Sequence, residues 1–225
     1  MNKLFDLNNP FFSFLSKVAD LVIVSFLWFV CCLPVITIGP ATSALYYVTL
    51  KLARKEEVQI TSCFFKGFKE NFKQGLAYSI IFILLGAVLA LDYVYAMAMP
   101  GTAGTICCGI FFAMSVWLLC TAFYTFALQA QFYNTVKQTI VNAVFLAARR
   151  LPMTVAVFCI NVIPAILLLW ATDMFLLSAP IWVLIFPGVA AFVCSMMFVK
   201  IFDPLIEAAT GKKSGEEDAE AAEED

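Results

Sequence analysis

The chain has 225 residues, 63% of them apolar and 13% charged. A water-soluble domain averages roughly 45–50% apolar and about 25% charged, so a soluble globule is excluded, and 23 phenylalanines exclude a disordered chain. The formal net charge of −2 hides a division: residues 214–225 hold seven of the 16 acids, leaving 14 bases against 9 acids elsewhere.

In chain order, residues 4–14 carry four Phe and two Leu around Asn8, Asn9 and Pro10 and read as an interfacial stretch. Residues 21–38 form the first uncharged apolar run. Its end lacks a small-x-small cleavage site, so it reads as a retained span. The segment TIGP at 37–40 is expected to break the helix, since Pro and Gly interrupt it. The apolar stretch 41–52 is then either a half-helix returning into the bilayer or part of a connection, and the side of the N-terminus stays open.

Residues 60–73 repeat Ile60, Phe64, Phe68 and Phe72 every fourth position, with Phe65 alongside and Lys66, Lys69 and Lys73 opposite. This spacing predicts a cationic amphipathic helix, capped near Thr61 or Ser62, lying at the membrane surface or docking a partner. Runs at 76–99, interrupted by Asp92, and at 106–128 follow as spans. Gln129 and Gln131 fall at the water-facing end of the latter. A second amphipathic segment at 134–150 places Val136, Ile140, Val144, Ala147 and Leu151 on one face and ends in Arg149 and Arg150. Runs at 153–171 and 181–199 complete the set, and 208–225 is an acidic tail expected to be disordered. The expectation is therefore an all-α, polytopic membrane protein: about five spanning helices and two cytoplasmic amphipathic helices in a single membrane domain, 1–207.

Lys and Arg number six in the connection after the first run, none at 100–105, three after the third run, none after the fourth, and three after the fifth. Basic connections stay in the cytoplasm, which puts the first and third connections and the C-terminal tail there. With an offset of 81 residues, Phe64 corresponds to Phe145, Lys69 to Arg150 and Asp92 to Asp173. Each half would be a basic-ended helix feeding a span with an acid near its far end, a candidate parallel repeat.

Two segments, LPVITIGPA at 33–41 and FFKGFKENFKQ at 64–74, resemble the YesL-like family of bacterial integral membrane proteins, a domain of unknown function. The residues that carry the likeness include Pro34, Thr37, Gly39, Pro40 and Asn71. In layout the resemblance runs over roughly residues 1–207; beyond the two motifs the spans match in hydropathy alone. It implies a multi-pass protein of the bacterial plasma membrane. It also implies an association with carbohydrate uptake and breakdown, often beside sugar ABC transporter subunits. It implies no catalytic residues.

The residues themselves are poor in chemistry. The chain has no His, which removes Ser–His and Cys–His nucleophile pairs within it. There is no GxSxG, HExxH or P-loop pattern, and no basic cluster of nucleic-acid-binding type. No enzyme activity, cofactor or metal is expected. The eight cysteines form no CxxC and read as small core residues, with a Cys107–Cys108 disulfide or a metal site as alternatives. Asp92, Asn161 and Asp173 are the candidate solute contacts, set against a helix-end role for the acids and an interhelical hydrogen bond for Asn161. Lys66, Lys69, Lys73, Arg149 and Arg150 are the candidate contacts to lipid headgroups or a partner protein. Function divides into two readings: a non-catalytic accessory or scaffold beside carbohydrate uptake, or a small carbohydrate transporter or permease-like subunit. The spans offer aromatics but few polar groups for a sugar cavity.

Overall fold

The computed structural model describes residues 10–170 and 184–206, with side chains from residue 15 onward except 163–165 and 167–170. Asp173, the remainder of the 171–183 connection and the tail 208–225 lie outside the described residues. The described residues form seven α-helices: α1 (Pro10–Cys32), α2 (Ile38–Ala53), α3 (Ile60–Ala98), α4 (Thr102–Gln131), α5 (Val136–Arg149), α6 (Leu151–Trp170) and α7 (Leu184–Ile206). No strand occurs among them. Four helices are long and apolar enough to cross a membrane, and a fifth span is possible if α5 and α6 count as one.

The first apolar run is displaced from its expected place. Its helix begins at Pro10 and ends at Cys32. The break comes at Leu33–Pro34 and a single 3-10 turn at Val35–Thr37, so it begins before TIGP and takes in only its first residue. Thr37 Oγ1 donates to the carbonyls of Cys31 (2.6 Å) and Pro34 (2.7 Å), closing that turn. Gly39 and Pro40 then lie in the first turn of α2, where proline's missing N–H has no intrahelical partner to lose. Trp28 Nε1 donates to Thr42 Oγ1 across the break (3.2 Å). Residues 15–17, 19 and 20 line one cleft with residues 52 and 55–58. Together these make α1 and α2 an antiparallel hairpin, which returns the N-terminal end of α1 to the start of α3.

The segment 60–73 is no separate surface helix. It is continuous with the following span in one 39-residue helix, with Gln59 at the N-cap and no side-chain cap from Thr61 or Ser62. At 1.5 Å per residue α3 is about 58 Å long. That exceeds a hydrocarbon core of ~30 Å even at a tilt of about 40°, so the charged first half is the part left outside. Its buried stripe is Ile60, Phe64, Gly67, Asn71, Gly75, Tyr78 and Ser79. Steps of four gain about 40° each at 100° per residue. The Phe series therefore drifts off this stripe: Phe64 is buried, Phe68 half-buried and Phe72 exposed.

The second amphipathic segment does form its own helix. A capping box of Thr135 and Gln138 starts α5, and a 103° bend separates it from the following helix. The break is at Arg150, whose backbone (φ −123°, ψ 53°) leaves the helical region, and Pro152 in the first turn of α6 lacks the N–H that would continue the α5 ladder. No such device interrupts α3. The two halves of the candidate repeat thus differ in shape at the same junction. The buried residues of α5 are Thr139, Ala143 and Ala147; of the expected face, Ala147 is buried and Val136 and Ile140 are half-buried against the core, while Val144 and Leu151 are exposed, so the helix is rotated by part of a turn. Small residues there let the backbone approach its neighbours.

The remaining runs grow at their ends: 106–128 becomes Thr102–Gln131, 153–171 becomes Leu151–Trp170, and the described part of 181–199 continues to Ile206. Gly101, with φ of 82°, makes the α3–α4 turn in a conformation that favours glycine. Beyond Ile80 the α3–α4 hairpin is bare: Ile83, Leu84, Val88, Leu91, Val94, Ile106, Ile110 and Phe112 are all exposed. An apolar surface of this kind suits lipid.

The core lies where α2, α4 and α7 meet. Phe198 and Phe202 stack at 5.6 Å, and Phe198 meets the edges of Tyr124 (5.1 Å) and Tyr46 (5.9 Å). α2 packs on α3 almost backbone to backbone. A Cβ added at Gly75 would lie 2.7 Å from Pro40 N and 2.8 Å from Pro40 Cα. By contrast, a Cβ at Gly86 would meet nothing within 4 Å. We therefore expect Gly75→Ala to destabilise the protein by about 1–3 kcal/mol. Gly86→Ala should be neutral or stabilising by up to about 1 kcal/mol. Thermal unfolding of both variants in one detergent checks the pair.

Candidate interaction surfaces

The motif residues gather at one junction. Gly39 N–H donates to Ser79 Oγ (2.8 Å). Asn71 is buried and donates through Nδ2 to the Gly67 carbonyl (3.0 Å). Its own carbonyl accepts from Gln129 Nε2 (3.0 Å), while Gln129 Oε1 accepts from Ser43 Oγ (2.6 Å). Pro34 and Thr37 shape the turn that delivers α2 to this place. These five residues thus hold α2, α3 and α4 together. Gln129 is 4% exposed, so it is a buried cross-link and not a water-facing group.

A second tie joins three helix ends. Arg54 donates from Nε (3.0 Å) and Nη2 (2.8 Å) to the same oxygen, Asp203 Oδ1, and from Nη1 to Gln131 Oε1 (2.9 Å). This is the ion pair found among the described residues, with side chains 21% and 42% exposed. Arg54 and Asp203 were legible in the sequence only as charges near membrane faces. The one available signal was a lone acid, Asp203, just past the last apolar run. Two further contacts seat the α4–α5 connection on α3: Gln74 Nε2 donates to the Asn134 carbonyl (3.1 Å), and Tyr133 Oη to Glu70 Oε2 (3.4 Å). The basic connections after α2 and α4 and the end of α7 therefore share one end of the molecule.

Lys66, Lys69 and Lys73 are all exposed on α3, centred about 180° from the buried stripe by helical arithmetic. Arg149 and Arg150 are exposed at the α5–α6 elbow. The candidate solute contacts are not brought together. Asp92 is half-buried on the α3–α4 hairpin. Asn161 donates to the Val157 carbonyl (2.8 Å) and to Cys194 Sγ on α7 (3.5 Å), an interhelical link. Asp173 is outside the described residues. The eight cysteines are free thiols, and no group of three or more potential metal-binding side chains occurs among the described residues.

Open clefts occur among the described residues. One of about 490 Å³ lies between α3 and α4 and is lined by apolar residues such as Phe82, Leu89 and Phe112. One of about 830 Å³ lies at the open end of the α1–α2 hairpin, among Lys17, Asp20, Lys55, Glu56 and Glu57. A third, of about 370 Å³, lies at the meeting of α4, α5 and α7.

These features define a polytopic α-helical membrane protein with a basic, charge-tied end and a bare apolar hairpin. Over residues 21–93 the chain is similar to a family described as a protein of unknown function, DUF624. That stretch takes in the second half of α1, all of α2 and all but the end of α3, and so every motif residue of the junction. No curated protein and no solved structure matches the chain.

The two ties differ in what water can replace. Gln129→Leu strands Ser43 and the Asn71 carbonyl in a buried site, and we expect a loss of about 1–3 kcal/mol. Arg54→Gln and Asp203→Asn act on a half-exposed pair, and a double-mutant cycle should return a coupling of about 1 kcal/mol or less. Unfolding in detergent measures both.

Proposed function

We propose that this chain is a non-catalytic accessory or scaffold protein of the bacterial plasma membrane, acting beside a carbohydrate-uptake system. On this reading the basic end and the C-terminal tail face the cytoplasm. The observation that carries it is the exposed row Lys66, Lys69 and Lys73 on a helix too long for the bilayer. A cationic row on a rigid rod outside the hydrocarbon core suits an acidic surface of a partner protein, with charge steering the encounter. The carbohydrate context comes from the YesL-like resemblance of the 33–41 and 64–74 motifs. Asn161 is engaged with its own helix and with α7, which leaves little polar surface for a sugar and favours the accessory role over transport.

The test is affinity purification of the tagged protein from its native membranes in mild detergent, with mass spectrometry of what accompanies it. A sugar-transporter subunit should co-purify with the wild type and fall by about tenfold or more with Lys66→Glu/Lys69→Glu/Lys73→Glu, the scale expected for losing several complementary charges. If the protein comes alone in both preparations, the accessory reading fails. Transport then takes its place, with solute-dependent stabilisation sensitive to Asp92, Asn161 or Asp173 as its sign.

A further inference from the structure

We infer that the elbow between α4, α5 and α7 is a binding site for one anionic phospholipid. The cleft there, about 370 Å³, is walled by Leu128, Phe132, Phe145, Leu146 and Leu205 and edged by Arg149 with Asn134 and Asn142. Its volume falls in the range of small-ligand pockets, about 300–1,000 Å³. Its walls are apolar and its edge carries a cation and two amides, the division of character that a phospholipid presents.

Position argues for the same occupant. Leu128 closes the apolar run of α4, and Leu205 stands in the last turn of α7. α5 turns 103° away from α6, so wherever the apolar α6 enters the bilayer, α5 runs roughly along its surface. The outer side of α5 carries an apolar strip, with Val141 52% and Phe145 70% exposed, flanked by exposed Lys137, Gln138 and Asn142. An interfacial helix buries such a face among acyl chains and sends its basic residues to the phosphates. Arg149 is exposed and makes no ion pair among the described residues. Its planar guanidinium can hold a phosphate through two parallel N–H donors. The acyl chain then lies against Phe132, Phe145 and Leu205.

Native mass spectrometry of the full chain, with added phosphatidylglycerol, phosphatidylcholine or inorganic phosphate, tests this. The expected result is one phosphatidylglycerol adduct, retained at collision energies that strip phosphatidylcholine, and no equivalent effect of inorganic phosphate. Arg149→Gln should weaken that adduct by about tenfold, the usual loss for a charge-assisted hydrogen bond. Asn142→Trp, which fills the cleft from an exposed position, should weaken it similarly with Arg149 intact. The triple lysine variant should retain the adduct, which separates this site from the proposed partner contact. Equal binding of phosphatidylcholine, or an adduct unchanged in both cleft variants, would overturn the inference. So would an adduct that appears only after removal of residues 208–225, because the acidic tail would then be the occupant.

Discussion

The close approach of α2 to α3 is the contact on which the other arrangements depend. Gly39, Pro40 and Gly75 bring two backbones together, and Ser79 Oγ receives the Gly39 N–H there. In an apolar solvent, helix association has no hydrophobic drive and relies on van der Waals contact and interhelical hydrogen bonds. Small residues make the first possible and place the donors of the second. With α2 fixed on α3, Ser43 faces Gln129 and the third helix is added through Asn71.

The same contact divides the molecule. On one side of it, α2, α4 and α7 close around Tyr46, Tyr124, Phe198 and Phe202. Several polar groups at that end are paired across helices, including Thr49 with Ser195 (2.8 Å) and Thr154 with Tyr124 (3.1 Å), while the buried Tyr78 hydroxyl has no partner among the described residues. On the other side α3 and α4 continue as a hairpin with exposed aliphatic side chains. Burying a polar group in hydrocarbon without a partner is costly, which accounts for the concentration of hydrogen-bonding residues in the packed half.

Charge follows the division. Arg54 ties the ends of α2, α4 and α7, whereas Lys66, Lys69, Lys73, Arg149 and Arg150 remain exposed. The tied arginine is half-sheltered by its neighbours and serves the fold. These five bases stand on two differently oriented supports, a rod continuous with its span and the end of a short helix bent 103° from the next. That difference separates the two proposed roles: the rod reaches toward a protein, the bent helix lies against lipid.

Much of this is legible in the sequence. Apolar content, run length and the distribution of Lys and Arg determined the all-helical membrane class, the approximate spans and the basic end, because a bilayer imposes length and polarity on each segment separately. Asn161 as an interhelical link was also readable, since an amide in hydrocarbon requires a partner. The sequence could not say that 60–73 is continuous with its span while 136–149 is not, although Pro152 marked the difference. It did not reveal how far either amphipathic segment is rotated: Phe64 and Ala147 of the expected faces are buried, but burial centres on neighbouring small residues, Gly67 and Gly75 in α3 and Ala143 in α5. Nor did it pair Arg54 with Asp203, 149 residues apart. Local periodicity records the apolar character of a face, but only the packed neighbour decides how closely that face is approached and which distant polar groups then come within hydrogen-bonding reach.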